Sequence, residues 1–333
     1  MAIVQAIIHG RGTSSELPSG SVSHLQKLTR ARRELVETQS ALENHIRVHI
    51  DHVFREYQGK TGWIEGKQVK QKPFYNLFSK ASRYLMRHHL HPSDLLKLGE
   101  QGLRELSLQK KLRLRNQTIQ VLIELARQSI SQPKEQVESE QFLLNLKLDQ
   151  WELIHNQIKK LEKKIEDLFL ETDGAIILSV PGVGVVNGAE LYAEMGDISD
   201  FEHAGQLIKM AGTNPIVKQS GDRKPTYYAV SKQGRKSFRN AVYQIGRSLS
   251  VNNPDMKKKY NDLKERGKHA KQAYIALGNR MIRLAFSMIR HQTLYRTDHS
   301  NDVLLSQITR KLRPENRELF YEKFVLNKAS QSA

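Results

Sequence analysis

Residues 212–228 read GTNPIVKQSGDRKPTYY and set one small hydroxyl, Ser220, beside Gly221. Around it stand Lys218, Arg223 and Lys224, with Asp222 the single acid. A serine is a weak nucleophile alone. It needs a base, or cations that stabilise negative charge developing on phosphorus. The stretch supplies cations and offers no evident base, so chemistry alone leaves two readings: a nucleophile aimed at a phosphate, or a loop serine in a Ser or Asx turn. The setting extends beyond the loop. Residues 203–254 hold nine Lys or Arg against that one acid, among them Lys232, Arg235, Arg239 and Arg247. With no acids interleaved to form internal pairs, phosphate neutralisation is the stronger expectation over a merely solvated face. Tyr227 and Tyr228 add aromatic surface that could stack on a base or pack in a core.

A second candidate lies upstream. In SVPGVGVVNGAELYAEMGD (179–197), an apolar run ends at Pro181-Gly182-Val183-Gly184 and a new helix begins, with Ala189 and Leu191 turned inward. This is a helix-hairpin-helix pattern. Two glycines let the backbone turn tightly and approach a phosphate, and the N–H groups opening the next helix face the anion with the helix dipole behind them. Such a hairpin grips a nucleic-acid backbone without reading sequence. The plain alternative is a glycine turn between packed helices. His88, His89 and His91 invite a metal reading, but adjacent histidines diverge on a helix and no carboxylate pair completes a shell, so surface histidines are expected.

The whole chain frames these motifs. It has 333 residues and a formal net charge of +18, which makes a polyanion the leading partner. No apolar run of about 20 residues could span a bilayer, and no basic signal start is present, so no membrane partner and a cytoplasmic location are expected. There are no cysteines, which excludes disulfides, thiolate metal sites and cysteine nucleophiles.

The elements that position the motifs are expected to be mainly α-helical. The first twelve residues read as the tail of an apolar helix. A long helix follows from Ser21 to about Tyr57, with Leu25, Leu28, Leu35, Leu42, Ile46 and Val53 as its intermittent stripe. Residues 58–133 read as several shorter helices. From about 135 to 172, Trp151, Ile154, Ile158, Leu161, Ile165 and Leu168 alternate steps of three and four, as a coiled-coil seam does. That seam could join two copies or pack within one chain. The texture changes at Asp173-Gly174, where a domain boundary is expected. Residues 174–250 hold 10 of the 20 glycines. A basic helical segment then runs from 255 to about Arg296, and residues 297–333 read as a polar tail with one short helix.

Taken in order, Leu178 to Gly184, Phe201, KMAGTNPIVKQSG (209–221) and SKQGRKSFRNAVYQ (231–244) resemble the C-terminal domain of the insertion sequence 110/116/902 family of bacterial transposases, also called bridge recombinases. The clear resemblance covers roughly 174–260. A weaker one covers 1–172, where LTRARRELVETQSALENHI resembles the helix following that family's first domain. The resemblance implies a transposase whose serine, Ser220 here, attacks a DNA phosphate; the basic stretch itself points to Lys218, Arg223, Lys224, Lys232, Arg235 and Arg239 on phosphates, and the glycine turn to Gly182 and Gly184 at the backbone. It further implies a divalent metal (Mg) held by a RuvC-like domain, DNA and a structured guide RNA as partners, a homo-oligomer through the coiled coil, and a bacterial, nucleoid-associated location. The segment 1–20 resembles the end of the RuvC-like domain, 21–172 its helical and coiled-coil region, and 173–296 the transposase domain with its hairpin and serine loop. The four metal-binding acids of the family find no counterpart here. The sequence therefore predicts a chain lacking most of the metal-binding half and unable to act alone, or else a non-enzymatic nucleic-acid-binding regulator of the full-length transposase.

Overall fold

A computed structural model describes residues 20–64, 67–218, 226–295, 308 and 310–326. The chain is mainly α-helical, as expected, and among the described residues no helix is long and apolar enough to cross a membrane. The expected apolar helix over the first twelve residues lies outside the described residues. Two compact units divide the chain, one made of residues 34–159 and the other of residues up to 33 together with 160 onward.

The unit 34–159 is built on parts of two long helices, α1 (Gly20–Phe54) and, later in the chain, the helix Glu138–Glu171. On α1, Leu42, Ile46, Ile50 and Val53 recur at steps of four, four and three, so one buried stripe faces the unit's core. At Gly59, with φ of 100°, the chain turns into a hairpin of β1 (Lys60–Ile64) and β2 (Lys67–Gln71), antiparallel with Lys60 opposite Gln71. The region expected to be wholly helical thus starts with two strands. Each runs only five residues, too short for alternation to stand out against helical periodicity. Helices α2 (Lys80–His88), α3 (Pro92–Gln109) and α4 (Asn116–Gln128) follow. His91, expected at the surface, is buried: its Nδ1 accepts from Ser93 N to cap α3, and its Nε2 lies 3.0 Å from Gln132 O. A capping role needs the ring inside the turn, which removes it from any metal shell.

The helix Glu138–Glu171 is α5. Of its predicted seam, Trp151, Ile158 and Ile165 are buried, and Ile154, Leu161 and Leu168 are half-buried. Trp151 donates from Nε1 to Glu43 Oε1 at 3.0 Å, stacks on Phe78, and carries the Arg83 guanidinium over its ring. His155 meets Gln39, and His49 Nδ1 lies 2.6 Å from Glu140 Oε2, so within this unit α5 runs antiparallel to α1. Ile158 is buried as well.

In the other unit, α5 ends at Glu171 and a 3-10 helix, Asp173–Ser179, takes over at the expected texture change. Then come α6 (Val185–Met195), α7 (Ala204–Ala211), β3 (Pro215–Lys218), β4 (Thr226–Val230), α8 (Lys236–Asn252), α9 (Pro254–Glu265) and α10 (Ala270–His291). The last described elements are α11 (Pro314–Tyr321) and a π-helical turn, Glu322–Leu326. The core of this unit joins Leu25 of α1, Ile165 and Phe169 of α5, the apolar faces of α6, α8 and α10, and Ile308, Leu312, Phe320 and Phe324. What reads as a polar tail thus contributes four buried apolar side chains and the buried Asn316, at four-residue steps.

Candidate nucleic-acid interface

The Pro181–Gly184 turn is held from below and open above. Gly182 has φ of +88°, a conformation that favours glycine, and an added Cβ would meet Asn252 Cβ at 3.2 Å. Ser248 donates to Gly182 O at 2.7 Å and Asn253 Nδ2 to Pro181 O at 3.0 Å, so the C-terminal end of α8 grips the turn. Lys311 Nζ donates to Leu178 O and Val180 O just before it, and burial pulls its ammonium down to about 8. Gly184 is the N-cap of α6, with no side chain capping the first turn, and a Cβ added there would meet nothing within 4 Å. Uncapped N–H groups behind a bare backbone make a place for an anion. Ala189 and Leu191 point inward, as the sequence predicts. The arm before the turn is the buried 3-10 helix rather than an α-helix.

Gly184→Ala tests this opening. The fold has room for the methyl, so stability should hold while affinity for duplex DNA falls roughly 3- to 10-fold, the scale of one anion at a helix terminus. Fluorescence anisotropy would read it, and unchanged affinity would remove the turn from the interface.

The root of the β3–β4 hairpin is tied more firmly. Gly212 ends α7 in the left-handed region, φ 64°, and Lys232 N donates to Gly212 O at 3.0 Å. Arg235 N donates to Met210 O at 2.9 Å. An added Cβ on Gly234 would fall within 3.0 Å of Met210 O and Gly212 N, so the AG and SK-x-G glycines are two halves of one close approach. Arg239 Nη1 donates to Lys232 O at 3.2 Å and lies 3.4 Å from Ala211 O. Ser231 Oγ donates to Asn214 Oδ1, and Thr213 Oγ1 to Asn279 Oδ1. From this root the strands pair as far as Lys218 opposite Thr226, with an irregularity between Pro215 and Val217. Ser220, Asp222, Arg223 and Lys224 lie outside the described residues, between those paired ends; of Lys218 only the backbone is described.

The structure brings Lys232, Arg235 and Arg239 together at the N-terminal end of α8. It places Gly182 and Gly184 at the other end, by Ser248, thirteen residues or roughly 20 Å along the helix axis. The two motifs are therefore separate contacts on one helix. Ion pairs among the described residues fall elsewhere, on Arg30, Arg32, Arg33, Arg83, Arg87, Arg104, Lys134, Arg313 and Lys323. Among the described residues the cations of α8, α9 and α10 form no ion pair, while Arg239, Arg283 and Arg290 donate to backbone carbonyls.

One aromatic feature escapes sequence reading. Tyr260 of α9 and Tyr274 of α10 stack with centroids 5.3 Å apart, and Tyr243 of α8 meets Tyr274 edge-on at 5.7 Å. Each tyrosine sits on a different helix, so no spacing reveals the group. A hydrogen bond with Tyr274 raises the Tyr260 phenol above its ordinary value.

Among the described residues no group of three or more His, Cys, Asp or Glu could hold a metal ion. The two buried acids nearest the turn, Glu190 and Glu194, are taken by Arg33 and Arg30. Held by those guanidiniums, the two carboxylates do not fit a divalent cation.

The unit sets a glycine turn, an anchored hairpin and cations outside any ion pair among the described residues along one helix. Its residues 174–261 match the family described as transposase IS116/IS110/IS902. Over that segment the chain is similar to that family of transposases. It is 31% identical over 146 residues to the insertion element IS116 uncharacterized 44.8 kDa protein of Streptomyces clavuligerus, covering 43% of this chain and 36% of that one. Over 117 residues it is 26% identical to the pilin gene-inverting protein of Moraxella bovis, covering 35% and 36% of the two chains. The transposase for insertion sequence element IS1111A of Coxiella burnetii is 28% identical over 123 residues, covering 36% of this chain and 34% of its own. The chain spans about a third of the length of these relatives.

Proposed function

We propose that the domain binds DNA and takes part in its recombination, with Ser220 as the nucleophile. The observation that carries this reading is the hairpin root. Gly212, Gly234 and the Asn214–Ser231 pair fix both ends of the segment holding Ser220, in a region whose described cations form no ion pair among the described residues. The family match over the same residues and the recombinase relatives support it.

In the proposed step, Ser220 Oγ attacks the scissile phosphorus. An Oγ–P bond forms, the P–O bond to the departing sugar breaks, and the serine proton passes to that sugar oxygen. The product is a phosphoserine ester to one DNA end and a free hydroxyl on the other. The cations around Ser220 stabilise charge on the phosphoryl oxygens. DNA is the proposed partner; a structured RNA, a divalent metal and self-association rest on the family resemblance alone.

Ser220→Ala should leave duplex affinity within about twofold, since one hydroxyl adds little to a phosphate-dominated interface. It should abolish the covalent adduct that forms when the protein is trapped on a nicked DNA and resolved under denaturing conditions. Equal loss of binding would make Ser220 structural. Steep salt dependence with no adduct from the unaltered chain would favour the regulator reading.

A further inference from the structure

The unit 34–159 lies outside the family match, yet it holds a cavity of about 570 Å³ with a definite chemistry. Its lining includes Phe74, Tyr75, Lys80, Arg113 and Arg115 and no acidic residue. Among the described residues none of the three cations forms an ion pair; Lys80 Nζ reaches only Lys111 O, at 3.5 Å.

Tyr75 stands fully exposed at the cavity edge. Hydration of a bare aromatic ring is unfavourable, and nothing within the described residues covers it. Beneath it the wall is firm. Pro73, Leu77 and Phe78 are buried, and Asn76 Oδ1 accepts from Phe78 N to fix the bend. The arginine side is equally fixed: Leu112 N donates to Ser107 O and Leu114 N to Ser107 Oγ, with Leu112 buried between the two arginines' neighbours. Arg113 keeps φ of 57°, a conformation an unsupported arginine would leave. The first turn of α4 opens at Arg115 without a side-chain cap, adding N–H donors beside the same cations.

We infer that this cavity binds an unpaired nucleotide of a single-stranded nucleic acid, with the base stacked on Tyr75 and the flanking phosphates on Lys80, Arg113 and Arg115. A free anion would need the cations but not the ring, and an apolar ligand would need the ring but not the cations. A nucleotide uses both. DNA and RNA share this chemistry. The site is independent of the DNA-recombining domain, so either can fail without the other.

The test uses the whole chain and 12-nucleotide single strands carrying one 5-iodouracil, made as DNA and as RNA. Irradiation should crosslink the base to Tyr75, located by peptide mapping. Tyr75→Ala should remove that crosslink and weaken single-strand binding about 5- to 50-fold, the scale of one base–aromatic stack, while Tyr75→Phe keeps both. Because the ring is fully exposed, the substitution leaves the core untouched. Arg113→Gln and Arg115→Gln should each weaken single strands and reduce the salt slope by about one. A strand made only of abasic sites should bind wild type and Tyr75→Ala alike. A stronger crosslink with the DNA or the RNA strand names the natural source. Crosslinks confined to 174–296, with Tyr75→Ala unchanged in affinity, would overturn the inference.

Discussion

Gly246→Ala is expected to lower the melting temperature of the transposase-domain unit by roughly 6–12 °C. An added Cβ would fall within 3.0 Å of Tyr274 O, and the reciprocal methyl on Gly278 would do the same to Val242 O. Both obstacles are backbone, which no rotamer change can move aside. Helices α8 and α10 must therefore separate, and with them the stack that joins Tyr243 to Tyr274. Overpacking of this kind costs about 1–3 kcal/mol or somewhat more, and a backbone contact belongs at the upper end. Gly184→Ala serves as the matched comparison, because its methyl meets nothing within 4 Å. The pair Gly246→Ala with Gly278→Ala should cost clearly less than the sum of the two, since one separation of the helices relieves both clashes. Thermal melts by circular dichroism measure all three. A shift under about 2 °C for Gly246→Ala would mean that the two backbones do not touch.

Those glycines show where sequence reading stops. Gly246 and Gly278 sit inside helical patterns and carry no local signal, because what demands them is a neighbour 28 or more residues away. Gly182 and Gly184 were legible, since a turn followed by a helix is local physics. The role of Gly212 and Gly234 was half legible: their order matched a family, but their contact exists only once α7 and the segment before α8 meet. The strands β3 and β4 read as a basic loop because Lys218 and the charges after it outweigh Ile216 and Val217 in any short window. In the other unit, the Trp151 stripe announced a buried helix face and left its partner open. Within the chain, Glu43 and Phe78 meet Trp151 and Gln39 meets His155. The cavity beside Tyr75 was unreadable, since its walls come from 73–81 and 112–118.

The largest electrostatic effect is expected from Arg30→Met. Arg30 holds Glu194 with two bonds, Nε to Oε1 at 2.7 Å and Nη2 to Oε2 at 3.0 Å. The two ends of that pair are unequal: the Glu194 side chain is 0% exposed and that of Arg30 is 43% exposed. Removing the arginine strands a buried carboxylate and should cost about 3–5 kcal/mol. Removing the charge by Glu194→Gln leaves an arginine that water can reach, and should cost about 1 kcal/mol. Burial already holds Glu190, one turn earlier, above the usual carboxylate range despite Arg33 beside it. Urea unfolding at neutral pH measures the two costs; equal costs for the two substitutions would refute the asymmetry. Together with Gln26, which donates to Ala193 O at 3.1 Å, these arginines fasten α1 to α6. A helix outside the family match thus holds in place the helix whose first turn, at Gly184, is proposed to face the phosphate.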